Sequence, residues 1–298
     1  MKLASECMSC LIKQVERAIR LLKPESPNSL IVETQHRIMK HIANQEISAL
    51  SSEDMGTVTY KIIGEALGME DPYSEQKRKY NTLALEIYPR VLEYSKKTRD
   101  SLKFAITLSI LGNSIDFGAS QAVDFHDFVD LQKIELGKPN HYNKLLKTLK
   151  ISKSILILGD NTGEIVFDKI LVKTLTETYP SATIYYSVRG GPIINDATME
   201  DAIEVGMTRE CKVIESSQSP GVILNSSPSE FQTIFNEADI IISKGQGNFE
   251  SIITTETPNK PVFFLLKAKC ELISRVFEVP QGTLLLREKT DQLALMVE

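Results

Sequence analysis

The chain has 298 residues, of which 42% are apolar and 24% are charged, and its net charge is −5. This length exceeds the size at which one hydrophobic core usually keeps growing, so we expect two cores. The negative charge, without a concentrated cluster of lysines and arginines, argues against nucleic acid as a partner. The sequence shows no apolar leader, no membrane span and no cysteine pattern typical of a disulfide framework, so we expect a cytoplasmic protein with reduced thiols.

The first half of the chain has helical periodicity. Apolar residues recur at intervals of three and four over residues 11–22, and a second amphipathic stretch covers residues 31–47. Residues 73–97 predict one long helix, kinked or interrupted near Pro89. We therefore predict that residues 1–150 form an all-helical domain.

The pattern changes near residue 151, where short apolar runs begin to alternate with helical stretches. Unbroken apolar runs are typical of parallel strands that are covered on both faces. We predict that residues 151–298 form a metal- and phosphate-binding α/β/α domain, a three-layer sandwich around a Rossmann-like, mostly parallel sheet. No Gly/Ser/Pro linker marks the boundary, so the two domains should pack tightly. The predicted strands cover residues 155–158, 184–188, 213–214, 239–242, 262–266 and 283–286.

Polar residues follow the first predicted strand directly. The sequence of residues 159–164 is Gly-Asp-Asn-Thr-Gly-Glu. In open α/β sheets ligands bind beyond the carboxyl ends of the strands. A carboxylate at Asp160 beside the amide of Asn161 suits a hard divalent cation such as Mg²⁺ or Mn²⁺. A turn that caps the next helix is the alternative explanation for the same residues.

The second strand ends in Arg-Gly-Gly-Pro, residues 189–192, and an Asn-Asp pair follows four residues later. The guanidinium of Arg189 matches phosphate oxygens, and Gly190 lets backbone N–H groups approach a ligand. Asp196 can face Asp160 as a second metal carboxylate. Taken alone, Asp196 is better explained as a helix N-cap, and the glycines as a turn.

A glycine-containing loop follows the strand that ends near residue 242. It offers Lys244 as a point charge and Gly245 as part of a tight, anion-facing turn, next to Asn248. The spacing is not that of a P-loop, and a single Gly-x-Gly is weak evidence for phosphate binding.

The next strand ends in Lys267 and Lys269, where a lysine is more often a solvated strand end than a ligand contact. Together, four successive strands place metal- or phosphate-compatible residues at one edge of the sheet. This convergence predicts a centre in which a metal activates water or stabilises the leaving alkoxide, while Arg189, Lys244 and Lys267 balance phosphate charge.

The helical half contributes two further motifs. Residues 111–118 break a helix with two glycines and expose Asn113 and Asp116, which either contact the substrate or cap helices in an interhelical turn. Cys7 and Cys10 form a single Cys-x-x-Cys near the first helix. We rank a packing role first, a metal site completed elsewhere second and redox catalysis last.

The motifs occur in a fixed order along the chain: Cys7-x-x-Cys10, Gly112-Asn113 with Asp116, Asp160-Asn161 with Gly163-Glu164, Arg189-Gly190 with Asn195-Asp196, Lys244-Gly245 with Asn248, and Lys267. This set resembles the damage-control phosphatase family, formerly a domain of unknown function, and specifically its archaeal and bacterial branch with an N-terminal Cys-x-x-Cys. The resemblance implies a helical domain beside an α/β/α domain, and a metal-dependent phosphatase active on sugar phosphates or damaged phosphometabolites.

The resemblance also implies that a divalent metal ion (Mg, Mn, Co or Ni) is held by Asp160, Asn161 and Asp196, which are then the catalytic residues. We predict that the remaining motif residues bind the substrate and its phosphate: Asn113, Asp116, Glu164, Arg189, Gly190, Lys244, Gly245, Asn248 and Lys267. The expected partner is a small phosphorylated metabolite, with no nucleic acid and no membrane. At this point the substrate, the oligomeric state, and the choice between nucleophilic attack by Asp160 and direct attack by water stay open.

Two other functions compete with this prediction. An S-adenosylmethionine-dependent carboxyl methyltransferase, an activity also attributed to part of this family, would usually have two or three glycines after the first strand, and residues 160–164 contain one. A non-catalytic phosphometabolite-binding protein would use the same pocket. Two acidic groups would weaken anion binding there unless a metal bridged them, so a phosphatase remains the favoured interpretation.

Overall fold

The computed structural model describes residues 1–46, 50–112, 135–257 and 260–296. These residues contain twelve α-helices and one six-stranded sheet. The helices are α1 (Ser5–Leu22), α2 (Asn28–Ala43), α3 (Ser52–Leu67), α4 (Ser74–Lys97), α5 (Ser101–Leu111), α6 (Tyr142–Leu149), α7 (Glu164–Thr178), α8 (Met199–Glu204), α9 (Ser229–Glu237), α10 (Gly245–Ile252), α11 (Glu271–Val276) and α12 (Asp291–Leu295). The strands are β1 (Ser154–Leu158), β2 (Thr183–Val188), β3 (Lys212–Glu215), β4 (Ile240–Lys244), β5 (Val262–Lys267) and β6 (Leu284–Glu288).

The sheet has the strand order β3-β2-β1-β4-β5-β6. Strands β1 to β5 are parallel, and β6 pairs antiparallel with β5. The predicted α/β fold with a mostly parallel sheet is confirmed, and the three-layer arrangement stays a prediction. The strand order reverses between β1 and β4, and this switch point is where open α/β sheets place their ligand crevice.

Strand β1 shows why the apolar runs in the sequence are unbroken. Ile155 and Ile157 join one buried cluster, whereas Leu156 and Leu158 join another, and all four are inaccessible to solvent. Because successive side chains of a strand point to opposite faces, both faces of β1 must be covered by other elements. The unbroken apolar run of β1 is therefore explained by burial of both faces of the strand.

The helices of the first half belong to more than one core. Helices α1 to α3 share a cluster that includes Ile19 and Ile63, whereas Ala84 of α4 and Phe104 of α5 belong to the same cluster as β1. The predicted domain boundary at residue 150 stays a prediction. The helix predicted over residues 73–97 is observed as α4 and continues through Pro89. No described helix is long and apolar enough to cross a membrane.

Candidate functional site

Backbone hydrogen bonds join the loop after β1 to the loop after β2. Asn161 and Asp196 form an antiparallel bridge, and the N–H of Ala197 donates to the carbonyl of Asp160 at 2.8 Å. The two loops are neighbours because β1 and β2 are adjacent parallel strands. This local pairing brings the carboxylates of Asp160 and Asp196 into one buried site.

The guanidinium of Arg189 lies against both carboxylates. Its Nε donates to Oδ2 of Asp196 at 2.7 Å, and its Nη2 lies 3.7 Å from Oδ1 of Asp160. Nδ2 of Asn161 donates to the other Asp160 oxygen at 2.8 Å. Arg189 is 1% exposed, so it is not a solvated surface cation. One buried cation therefore lies against two buried carboxylates.

Burial raises the pKa of the Asp160 carboxyl, although the charge of Arg189 opposes this shift. Burial likewise raises the pKa of Asp196 to about 7, again against the effect of Arg189. The positive charge of Lys269, an exposed residue, also lowers the pKa of both carboxyl groups. The sequence predicts a phosphate-binding role for Lys267, and Lys269 lies two residues further along the chain, in the same Lys-x-Lys pattern.

The donor set fits a hard divalent cation. Asp160, Asn161 and Asp196 offer oxygen ligands, and the two carboxylates carry more negative charge than one guanidinium can neutralise. No group of three or more His, Cys, Asp or Glu side chains in the described ranges is arranged to hold a metal ion. A cation here would therefore be held by two carboxylates and one amide, with water or substrate oxygens as further ligands.

Asn248 connects the ends of three strands. Its Nδ2 donates to the carbonyl oxygens of Gly159 and Lys244, both at 2.8 Å. Its Oδ1 accepts from Nη1 of Arg189 at 2.9 Å and from the N–H of Val222 at 3.2 Å. The side chain is fully buried, and these four bonds use all of its hydrogen-bonding capacity. Asn248 thus fixes the position of Arg189 relative to β1 and β4.

Comparison with known proteins identifies the family. A model of the damage-control phosphatase ARMT1-like domain matches residues 3–285 of the chain. The chain belongs to this family. A damage-control phosphatase from Pyrococcus horikoshii is 32% identical over 288 residues, which cover 95% of this chain and 97% of that protein. A damage-control phosphatase from Archaeoglobus fulgidus shows the same identity and the same coverage.

A solved structure has the same fold as this member of the damage-control phosphatase family. It is the crystal structure of a DUF89 family protein from Pyrococcus horikoshii, with a TM-score of 0.85 and 31% sequence identity. The match covers 97% of this chain and 100% of that chain. The predicted assignment to the branch with an N-terminal Cys-x-x-Cys stays a prediction.

In this family member Lys244 contacts carboxylates. Its Nζ forms ion pairs with Glu164 and, at 2.5 Å, with Asp168, and the three side chains are at most 2% exposed. Asp168 also accepts hydrogen bonds from Ser109 at 2.7 Å and from Tyr186 at 2.6 Å. We had predicted that Lys244 and Glu164 bind phosphate. That role stays a prediction, and in the structure Lys244 pairs instead with two buried carboxyl groups.

Burial and the ion pairs of this cluster shift the pKa values of Glu164 and Lys244. Burial raises the pKa of Glu164 to about 8, although the charge of Lys244 opposes this shift. Burial alone would lower the pKa of Lys244, but the charges of Asp168 and Glu164 outweigh it and raise this pKa. Asp168 was not among the predicted site residues, and its signal in the sequence is an acidic residue that follows the apolar residues 165–167, four positions after Glu164.

Two glycines that we predict to bind phosphate also let neighbouring segments of the protein approach the backbone closely. Gly245 has φ 78°, a conformation that favours glycine, and a side chain there would overlap the Asp160 carboxylate. A Cβ on Gly190 would lie 2.5 Å from the carbonyl oxygen of Ser216. Both glycines are therefore needed for packing around the site, and their binding to phosphate stays a prediction.

Helix α4 contacts the loop that carries Asp160. The N–H of Gly163 donates to Oδ1 of Asn81 at 2.8 Å, and Nδ2 of Asn81 donates to Asp201 at 3.1 Å. Lys77 lies 3.0 Å from the same aspartate. Asn81 could not be predicted as a site residue, because no local sequence pattern relates a helical asparagine to a loop 82 residues away.

The remaining predicted residues are Asn113, Asp116, Lys267 and the two cysteines of the Cys-x-x-Cys motif. Asn113 and Asp116 lie outside the described residues. Lys267 is partly exposed at the end of β5. Cys7 and Cys10 lie on α1, where burial raises the pKa of the Cys7 thiol to about 11. A high pKa disfavours thiolate chemistry, which agrees with a packing role for Cys7.

Proposed function

We propose that this chain is a metal-dependent phosphomonoester hydrolase that acts on a small phosphorylated metabolite. The observation that carries the proposal is the buried pair of Asp160 and Asp196 around one guanidinium, at the switch point of the sheet. Membership in the damage-control phosphatase family supports the reaction type. The names of the relatives support damaged phosphometabolites as substrates, and sugar phosphates are the other substrate class that we propose.

Asp160, Asn161 and Asp196 would hold the metal ion. A bound divalent cation such as Mg²⁺, Mn²⁺, Co²⁺ or Ni²⁺ supplies Lewis-acid chemistry and lowers the pKa of water. Arg189 keeps the two carboxylates together through its hydrogen bond to Asp196 and its ion pair with Asp160. The Asn161 amide fixes the orientation of Asp160 by donating to its Oδ2.

The reaction adds water to phosphorus and breaks the bond between phosphorus and the ester oxygen, which leaves as an alcohol after accepting a proton. Charge on the phosphoryl oxygens grows during this step, so cations near it stabilise the transition state. Lys269, whose charge lowers the pKa of both carboxyl groups, is one candidate for this task, and Lys267 is the other.

The loop after β1 favours a phosphatase over a methyltransferase. It contains one glycine between Asp160 and Glu164, and the N–H of that glycine donates to Asn81. Nucleoside cofactors in such folds usually bind a loop with two or three glycines whose N–H groups face the ligand. This loop offers the cofactor fewer donors than such a site needs.

The test is phosphate release from a panel of sugar phosphates and p-nitrophenyl phosphate, with Mg²⁺, Mn²⁺, Co²⁺, Ni²⁺ or EDTA. We expect metal-dependent release that is lost in Asp160→Ala and Asp196→Ala, with circular dichroism showing that both variants fold. Asp291→Ala, which removes an exposed carboxylate at the start of α12, is the control and should keep full activity. Tight metal binding without release from any ester would favour a non-catalytic binding protein instead.

A further inference from the structure

Asn81 of α4 lies between the two loops that carry the predicted metal ligands. Its Oδ1 accepts a hydrogen bond from the N–H of Gly163, two residues after Asn161, at 2.8 Å. Its Nδ2 donates to Oδ1 of Asp201 in α8 at 3.1 Å, and the side chain is fully buried. One amide of the helical half therefore contacts the end of the first loop and the helix that follows the second loop.

The loop that carries Asp160 and Asn161 is fixed by a side chain at each end. Gly163 has φ 75° and is the N-cap of α7, and N–H groups at the start of a helix have no partner within that helix. Asn81 supplies the missing acceptor. At the other end, Asn248 of α10 donates to the carbonyl oxygen of Gly159 at 2.8 Å. The two predicted ligands thus lie between one contact from α10 and one from α4.

Asp201 extends the contact of α4 to the second loop. Its Oδ2 accepts from the N–H of Thr198 at 2.9 Å and from the hydroxyl of Thr198 at 2.7 Å, within the capping box of α8. Thr198 follows Asp196 by two residues and forms a parallel bridge with Arg189. The ammonium group of Lys77, also on α4, lies 3.0 Å from the same Oδ2. Through this aspartate, α4 is therefore connected to the segment that carries Asp196.

The amide of Asn81 suits this position because its two polar groups have opposite roles. Its carbonyl oxygen can only accept and its NH₂ group can only donate, which matches the N–H of Gly163 on one side and the carboxylate of Asp201 on the other. An aliphatic side chain of similar size would leave both partners buried and unpaired. An aspartate would place a second carboxylate oxygen against Asp201.

We propose that Asn81 is a positioning residue for the metal site. It holds the loop of Asp160 and Asn161 against the loop of Asp196, so that the two carboxylates stay close enough to share one cation. This inference rests on the proposed function. Replacing a side chain that orients metal ligands typically changes metal affinity or activity by about 10- to 100-fold. The helical half thus contributes to metal binding by setting the geometry of the two loops.

The first experiment measures the two loops in the metal-free protein. Amide hydrogen exchange is followed by NMR at Thr162 and Ala197, whose N–H groups donate across the loops to the carbonyl oxygens of Asn195 and Asp160 at 2.9 and 2.8 Å. We expect Asn81→Leu and Asn81→Asp to speed exchange at both amides about tenfold or more, because the loops separate more often. Exchange rates equal to those of the wild type in either folded variant would overturn the inference.

The second experiment titrates the EDTA-treated variants with Mn²⁺ by calorimetry. We expect the Kd to rise at least about tenfold, and kcat for phosphate release to fall with little change in KM, because displaced ligands slow the chemical step. Val91→Ala is the control for a destabilised α4. Val91 is fully buried and lies about 15 Å further along the same helix. This variant should lose stability in urea and keep the Kd of the wild type.

An exchange of the two residues tests the hydrogen-bond pattern itself. In the double variant Asn81→Asp, Asp201→Asn, the carboxylate still accepts from Gly163, and the amide donates to that carboxylate while its oxygen accepts from Thr198. The net charge and every hydrogen bond are kept, and one bond changes direction. We expect the double variant to recover most of the Mn²⁺ affinity that Asn81→Asp loses. Affinity no better than that of Asn81→Asp would contradict the inference.

The inference and the proposed function fail in different ways. A wild-type protein that neither binds Mn²⁺ nor releases phosphate would refute the proposed function. Asn81 variants that lose stability, but keep the Mn²⁺ Kd and the exchange rates of the wild type, would show that Asn81 only stabilises the fold. That result would overturn the inference and leave the proposed function standing.

Discussion

The buried ion pairs of Lys244 predict a large and reversible effect on stability. Lys244→Met removes the cation and leaves the carboxylates of Glu164 and Asp168 in a site where all three side chains are nearly inaccessible. Removing one partner of a buried pair typically costs about 3–5 kcal/mol, because the remaining charge is uncompensated. We therefore expect the free energy of unfolding to fall by about that amount.

A variant that removes all three charges provides the control. In the triple variant Lys244→Met, Glu164→Gln, Asp168→Asn, no ion stays unpaired, and replacing a whole buried ion cluster by neutral groups is often nearly neutral. We expect it to recover at least half of the stability that Lys244→Met loses. Asp168→Asn keeps an oxygen acceptor for Ser109, so that hydrogen bond is retained.

Urea unfolding followed by circular dichroism measures both variants, and steady-state kinetics of the triple variant separates the two roles of Lys244. If Lys244 only balances charge, the triple variant keeps its KM for the phosphate ester; if it also contacts phosphate, KM rises although stability has recovered. A loss below about 1 kcal/mol in Lys244→Met would refute the charge-compensation argument, because it would match a surface substitution.

Three further predictions address the surroundings of the carboxylate pair. Asn248→Ala removes one hydrogen bond of Arg189 and leaves several buried polar groups without a partner. We expect initial rates of phosphate release to fall at least about tenfold and the free energy of unfolding, measured by urea titration, to fall by about 2–4 kcal/mol. Rates equal to those of the wild type would contradict this prediction. Gly245→Ala should abolish phosphate release in a folded protein, because its methyl group would displace the Asp160 carboxylate. The Glu164 carboxyl has its pKa raised from 4.5 to about 8 on folding, so the folded state binds the extra proton and wild-type stability is lost as pH rises from about 4.5 to about 8. Glu164→Gln should show less of this loss in melting temperatures from pH 5 to 9, and parallel curves for the two proteins would contradict it.

The fold could be predicted largely because its signals are local. Four consecutive apolar residues in β1 indicate a strand covered on both faces, and the residues after such a strand lie where ligands bind. The N-cap alternative for Asp196 was local too, but the structure places the cap at Thr198, whose capping box with Asp201 frees Asp196 to meet Arg189. Asp196 and Thr198 lie two residues apart, and both residue types are common at helix N-caps, so the sequence alone does not decide which one caps α8.

The partners of the charged residues could not be predicted, because they depend on contacts between distant segments. A lysine after a strand is equally compatible with phosphate and with carboxylates, and Lys244 is separated by 76 residues from Asp168. Arg189 donates a hydrogen bond to Asn248, which lies 59 residues away in the sequence. A sequence pattern gives the type of charge at a position, whereas its partner is set by tertiary packing.

We propose that Asp160 and Asp196 hold a divalent metal ion that is required for phosphate release. The most direct test is a Mn²⁺ titration of the EDTA-treated protein, with metal binding measured by calorimetry and phosphate release measured on the same samples. We predict that one Mn²⁺ binds, that activity rises in parallel with its occupancy, and that Asp196→Asn weakens both together. Full phosphate release by the metal-free protein, or Mn²⁺ binding that is unchanged in Asp160→Asn and Asp196→Asn, would contradict the account.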